Sequence, residues 1–212
     1  MFLVQEVQGQ VKERFQDLKD DVRLVVFTQQ SGCQYCADNQ KLMEEIAELS
    51  DKISLEVFDF QTDKEQVSKY AIDKVPATAI VGKEDYGIRL YGIPAGYDFI
   101  SLIESIRLVS TGETELASEE SDYLKNLAKE THLQVFVSSG CPHCPSAATL
   151  AHQMALASSK VKADVIDAAQ FPHLADKYNV SAVPHTVINE TAYQLGAVPA
   201  PAIIEKIKET LK

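Results

Sequence analysis

The chain has 212 residues, 20 Lys and Arg against 31 Asp and Glu, a net charge of −11 at pH 7 and 45% hydrophobic residues. That charge argues against nucleic acid or an anionic membrane as a partner, and the apolar content is enough to bury an ordinary core. No apolar run approaches the roughly 18 residues of a membrane span. The opening Met1 to Val7 has neither a basic start nor a small-residue cleavage site, so a cytoplasmic protein is expected.

Val7, Val11, Phe15 and Leu18 recur at helical spacing and predict an opening amphipathic helix. Residues 24–28 form a short β-branched apolar run, as a buried parallel strand would. A polar turn leads to Cys33. A helix is expected from Cys36 to about Leu49, a strand over 53–59, a short helix over 64–70, a hairpin of 78–81 with 88–91, and a helix over 97–109. The same order then returns. A helix over 118–129, capped by Ser118, precedes strands at 132–137 and 161–167, with a helix between them running to Ala157. A shorter hairpin of 186–188 with 193–195 and a helix over 202–211 close the chain. The order βαβ then ββα predicts an α/β fold with right-handed crossovers and a mixed central sheet in each half.

The second half repeats the first. An offset of 108 residues carries Cys33 onto Cys141, Asp59 onto Asp167, Lys69-Tyr70 onto Lys177-Tyr178, Val75-Pro76 onto Val183-Pro184 and Thr78 onto Thr186. Gly92 and Gly196 align once four residues are lost from the hairpin. This period is the size of a small domain and too long for a solenoid repeat. Two units are expected, 1–115 and 116–212, joined by a junction too short to let them swing freely. The first carries 12 basic and 21 acidic residues, the second 8 and 10.

All four cysteines lie in two Cys-x-x-Cys motifs, Cys33-Gln34-Tyr35-Cys36 and Cys141-Pro142-His143-Cys144, and each is followed 40 residues later by a Val-Pro. In a reducing compartment such pairs are more often catalytic or metal-binding than structural. If each motif opens a helix, unpaired amides and the helix dipole stabilise a thiolate at the first sulfur. That thiolate attacks a disulfide, and the second cysteine resolves the mixed disulfide. Cys33 and Cys141 are thus the expected nucleophiles, with Cys36 and Cys144 resolving. Pro76 and Pro184 are expected to be cis, which sets Val75 and Val183 beside the sulfurs, where their backbone could pair with an extended substrate. Tyr35, Pro142 and His143 are expected to tune the two sites. A protonated His143 would favour the Cys141 thiolate and make site two the more oxidising. His132, His152 and His173 read as surface or strand-end residues, His185 as a possible lining of site two, and Asp59 and Asp167 as turn formers.

With its Cys-x-x-Cys between strand and helix and its Val-Pro before a hairpin, each half resembles the thioredoxin and glutaredoxin fold. The doubled arrangement resembles the protein disulfide oxidoreductases of thermophiles, on the two motifs, on Pro145 and on the segment Ala95-Gly96-Tyr97-Asp98-Phe99. The resemblance implies two tandem thioredoxin-like folds, each a central mixed sheet flanked by helices. It also implies protein disulfides as substrates and a thioredoxin-reductase-like flavoprotein as electron donor, with no bound cofactor beyond the redox-active disulfides. His143 stands where the family often has Tyr. Phe27 and Val135 stand where thioredoxins carry a buried Asp, and Lys74-Val75-Pro76 and Ala182-Val183-Pro184 replace the Thr-Val-Pro of glutaredoxins.

Two other readings compete. The chain could be the electron-relay arm of a flavoprotein-dependent peroxide reductase, although that arm keeps one active motif and this chain keeps two. Four thiolates could instead hold zinc, but paired knuckles lie about 15–20 residues apart, whereas 104 residues separate Cys36 from Cys141. No metal is therefore expected.

Overall fold

The computed structural model describes residues 3–212, so Met1 and Phe2 of the N-terminal reading lie outside it. The first unit contains α1 (Gln5–Arg14), β1 (Val22–Thr28), α2 (Cys36–Ala47), β2 (Ile53–Asp59), α3 (Lys64–Lys69), β3 (Ala77–Val81), β4 (Ile88–Tyr91) and α4 (Asp98–Thr111). The second repeats that order with α5 (Ser118–Lys125), β5 (Thr131–Val137), α6 (Cys144–Ala157), β6 (Val161–Asp167), α7 (Pro172–Lys177), β7 (His185–Ile188), β8 (Ala192–Leu195) and α8 (Ala200–Thr210).

The expectation of a mixed sheet in each half needs one extension. The two four-stranded sheets are continuous, in the order β2-β1-β3-β4-β6-β5-β7-β8. The joint is a parallel ladder in which Ile88 faces Ala163, Arg89 faces Asp164, Leu90 faces Val165 and Tyr91 faces Ile166. Within each unit the two strands flanking the cysteine helix are parallel, and the hairpin strands run antiparallel. The joint was not legible because β4 and β6 satisfy the same alternation rules whether their outer edges are paired or open.

One face of the sheet is covered by a core drawn from both units, including Leu24, Met43, Ile80, Leu102, Ile106, Leu133, Met154 and Ile207. The opposite face carries a second core around Phe27, Tyr70, Tyr91, Phe136, Ile166 and Phe171. Tyr91 and Phe171 meet edge to face across the joint at 6.3 Å, so unit two seals the end of unit one's second core. The cysteine helix α6 packs against α4, and the linker between Thr111 and Ser118 is accordingly short.

Two local expectations change. The first residue of α5 is Ser118, so it does not cap that helix. The free N–H of Ala117 is instead satisfied by the Glu120 carboxylate at 2.9 Å. The same helix stops at Lys125, short of 129, where the Asn126 side chain donates to the Asp122 carbonyl at 2.8 Å and competes with continued helix.

His152 is also placed differently from its expected surface position. It lies on the α4 face of α6 and is fully buried. The Ser105 hydroxyl donates to the Ser101 carbonyl at 2.6 Å and lies 2.6 Å from His152 Nδ1. Nε2 is left without a partner. Burial drives the imidazole down to about 4, against a smaller upward pull from the Asp164 carboxylate. Sequence reasoning missed this because the surrounding α6 residues are alanines, which give no sharp apolar stripe.

His152 is thus neutral in the fold and charged when unfolded below about 6.5. The unfolded chain binds more protons between about 4 and 6.5, so this contribution to stability is complete above 6.5 and is lost as pH falls. In denaturant titrations the wild type should lose more stability over that range than His152→Gln, by on the order of 3 kcal/mol. Parallel curves for the two proteins would remove His152 from the account.

Candidate redox-active sites

Both Cys-x-x-Cys motifs are closed as disulfides, each with Cα atoms 5.5 Å apart. The turn that makes each bridge precedes its helix. In site two the Cys141 amide donates to the Ser138 carbonyl at 3.0 Å, and the Cys144 amide donates to the Cys141 carbonyl at 3.3 Å. Helices α2 and α6 therefore begin at the second cysteine, with Tyr35 and His143 in the capping positions. Cys36 and Cys144 are the first helical residues, and the expected start of the first cysteine helix at Cys36 is the observed one. The first cysteines still sit at the end of the helix where free amides gather.

The predicted prolines join these sites. The Val75-Pro76 and Val183-Pro184 bonds are both cis. Cys141 Sγ stands 3.7 Å from the Val183 carbonyl oxygen. Pro76 and Pro184 are buried while Val75 and Val183 are half-exposed. The carbonyls of Pro76 and Pro184 accept the amides of Gly92 and Gly196 at 3.0 and 2.8 Å, so each proline loop is tied to the end of its own hairpin.

The two sites differ in exposure. Cys33 is half-exposed, whereas Cys141 is 8% exposed. Cys36 and Cys144 are buried. Tyr35 is half-buried, and Pro142 and His143 are exposed. Lys74, beside the first Val-Pro, folds back over the Tyr91 ring at 3.7 Å and pairs with Asp73. His185, expected as a possible lining of site two, is buried in the second core instead. It stacks on Tyr193 at 5.0 Å and faces the Phe136 edge, and burial lowers its pKa. Asp59 and Asp167 are the turn formers expected: each accepts two backbone amides of the turn that follows its strand.

Two buried polar residues near the sites escaped the sequence reading. Asn39, three residues after Cys36, donates to the Thr78 hydroxyl at 3.2 Å and ties the cysteine helix to the strand after Pro76. Its counterpart under the 108-residue offset is Ala147, so site two lacks the tie. The repeated Thr78 and Thr186 were a partial signal. The other residue is Asp98, the first residue of α4, which is 3% exposed with neither carboxylate oxygen hydrogen-bonded. It borders a void of about 10 Å³ between the units, together with Gly92, Val137 and Asp167. Burial, and secondarily the Asp167 charge, raise its pKa to about 7. Its residue type alone gave no such signal, because acidic residues in a first helical turn are ordinary.

The thioredoxin-domain family model matches residues 22–94 and 131–209, and the chain belongs to that family. A protein disulfide oxidoreductase from Aeropyrum pernix k1 superposes with a TM-score of 0.92 at 27% identity, over 98% of this chain and 93% of that one. The NTD_N/C domain of an alkylhydroperoxide reductase from Enterococcus faecalis superposes at 0.90 with 24% identity, over 97% of this chain and all of that one. In sequence, a Bacillus subtilis protein named NADH dehydrogenase is 25% identical over 209 residues, covering 98% of this chain and 38% of that protein. The chain thus spans little more than a third of the curated relatives it matches first. No helix among the described residues is long and apolar enough to cross a membrane.

Asp98 gives a pH signature opposite to that of His152. Its folded pKa is about 7, against about 3.9 unfolded. The folded chain therefore holds the extra proton between those values, and stability falls as pH rises through that window. Asp98→Asn should abolish this fall and gain stability over wild type as pH goes from 4 to 7, measured by urea midpoints. An unchanged difference across that range would show that the carboxyl is not protonated by the fold.

Proposed function

We propose that the chain is a thiol–disulfide oxidoreductase that reduces, forms or isomerises protein disulfides through its two dithiols. The observation that carries this reading is a Cys-x-x-Cys disulfide at a helix start and a cis Val-Pro bond in each unit, with Cys141 Sγ 3.7 Å from the Val183 carbonyl in site two. In the reducing direction the thiolate of Cys33 or Cys141 attacks one sulfur of a substrate disulfide. An S–S bond forms to the enzyme, and the other substrate sulfur leaves as a thiolate that takes up a proton. Cys36 or Cys144 then attacks the mixed disulfide, closes the intramotif bridge and releases the second substrate thiol. The substrate gains two electrons and the dithiol loses them. The reverse sequence forms a substrate disulfide.

An external reductant must return the two electrons in each reducing cycle. A thioredoxin-reductase-like flavoprotein is the proposed donor, supported by the resemblance to proteins named as an NADH dehydrogenase and as part of an alkyl hydroperoxide reductase. Those same relatives favour a second reading, in which the chain relays electrons within a peroxide reductase system. The two intact dithiols favour general disulfide exchange. The backbones of the half-exposed Val75 and Val183 are proposed to hold the substrate chain in extended form. The cytoplasm is the proposed location.

Reduction of a protein disulfide by the full chain should persist in Cys33→Ser and in Cys141→Ser, each variant losing the share its own site carries, and should reach background in the double variant. Independent sites give partial losses that add, whereas a relay gives near-complete loss in both single variants. Substantial activity in the double variant would sink the dithiol mechanism.

A further inference from the structure

The two sites are not equally self-contained. We infer that site two is completed by unit one, whose Gly96 and Tyr97 backbone is a positioning element for Cys141. Cys141 leaves the loop Ser138-Ser139-Gly140, and the outward carbonyl of Ser139 accepts the amide of Tyr97 at 2.9 Å. Tyr97 precedes the first residue of α4, so its N–H serves none of that helix's own bonds and is free for the neighbouring unit. Gly96 makes the approach possible. Its φ is +58°, and a Cβ at this position would collide with the Ser139 carbonyl oxygen. Only a residue without a side chain lets the two backbones meet here.

The brace has no counterpart in site one. Among the described residues, no backbone hydrogen bond reaches the loop 29–32 from unit two. The sequence also forbids a repeat of it. The alignment of Gly92 with Gly196 sets Ala200 and Pro201 at the positions of Gly96 and Tyr97, and proline has no N–H to donate. The braced Cys141 is among the buried residues at 8% exposed, and the unbraced Cys33 is not. The brace accordingly sets how far the Cys141 sulfur is presented, while site one is governed within its own unit.

This inference rests on the dithiol reading, but its test does not need a substrate. The full chain is reduced and briefly alkylated across pH 4 to 9, and each cysteine is quantified by peptide mass spectrometry. Tyr97→Pro, at a φ of −65° that proline adopts, replaces the donated N–H with a ring methylene that meets the Ser139 oxygen, so the bond is lost and the loop is displaced. Gly96→Ala pushes the Ser139 loop away. In both variants the labelling profile of Cys141 should change, its limiting rate rising about threefold or more as the sulfur becomes accessible, while that of Cys33 stays as in wild type. Site one serves as the internal control. A Cys141 profile unchanged in Tyr97→Pro, or a Cys33 profile that shifts in step with it, overturns the inference. Absence of turnover on a protein disulfide by the wild-type chain, with the Cys141 profile still changed in both variants, would count against the proposed activity and leave the brace standing.

Discussion

The parallel ladder between β4 and β6 is the constraint on which the rest depends. Four residue pairs make it, and their backbone bonds fix the register between two units that share little else by way of a linker. Once β4 and β6 are paired, α4 and α6 lie on the same face of one sheet, and the side chains between them have to fill a common core. His152 and Ser105 meet there. The turn after β4 is carried toward the loop after β5, which brings Gly92 to Asp167 and Gly96 to Ser139. Gln170 reinforces the same approach by accepting the Ile93 amide at 3.0 Å.

A duplicated unit placed side by side cannot remain symmetric. Unit one offers the outer edge of β4 and the entrance of α4 to its neighbour. Unit two offers β6 and the approach to Cys141. Every contact across the joint therefore lands on different parts of the two repeats. The buried ionisable groups follow this division, since Asp98 and His152 come from opposite units and both face the shared interior. Their proton affinities are displaced in opposite senses relative to charge: the acid is held protonated and the base is held bare. A water-poor boundary between two charged surfaces favours neutral forms of both.

Much of this was legible in the sequence. The repeat gave two units, the β-branched runs gave β1 and β5, and the alternation from Ile53 gave β2 with its observed bounds. The four cysteines and the two Val-Pro loops came from spacing alone, because their chemistry needs specific residue types at specific separations. What escaped depended on partners far away in the chain. Nothing in the order of residues tells that Arg89 lies opposite Asp164, that a histidine in an alanine-rich helix meets a serine from the other unit, or that Asp98 lacks a hydrogen-bond partner. The start of the first cysteine helix at Cys36 was legible for a more local reason: the bridge between cysteines three apart forms a turn, and regular helix begins where that turn ends.

The joint has two halves, and each half recurs, unpartnered, at the outside of the sheet. Strand β8 occupies in unit two the position of β4, and β2 occupies the position of β6. By its architecture alone the molecule is one segment of a ribbon that could lengthen at either end, the usual hazard of an open sheet edge. The residues that close the internal seam have been exchanged at the ends. Where Phe171 covers Tyr91 across the seam, the corresponding position in unit one is Asp63. The aromatic contact that closes the seam thus has no counterpart at the outer β2 edge, while the outer backbone groups of β2 and β8 stay open to a further strand.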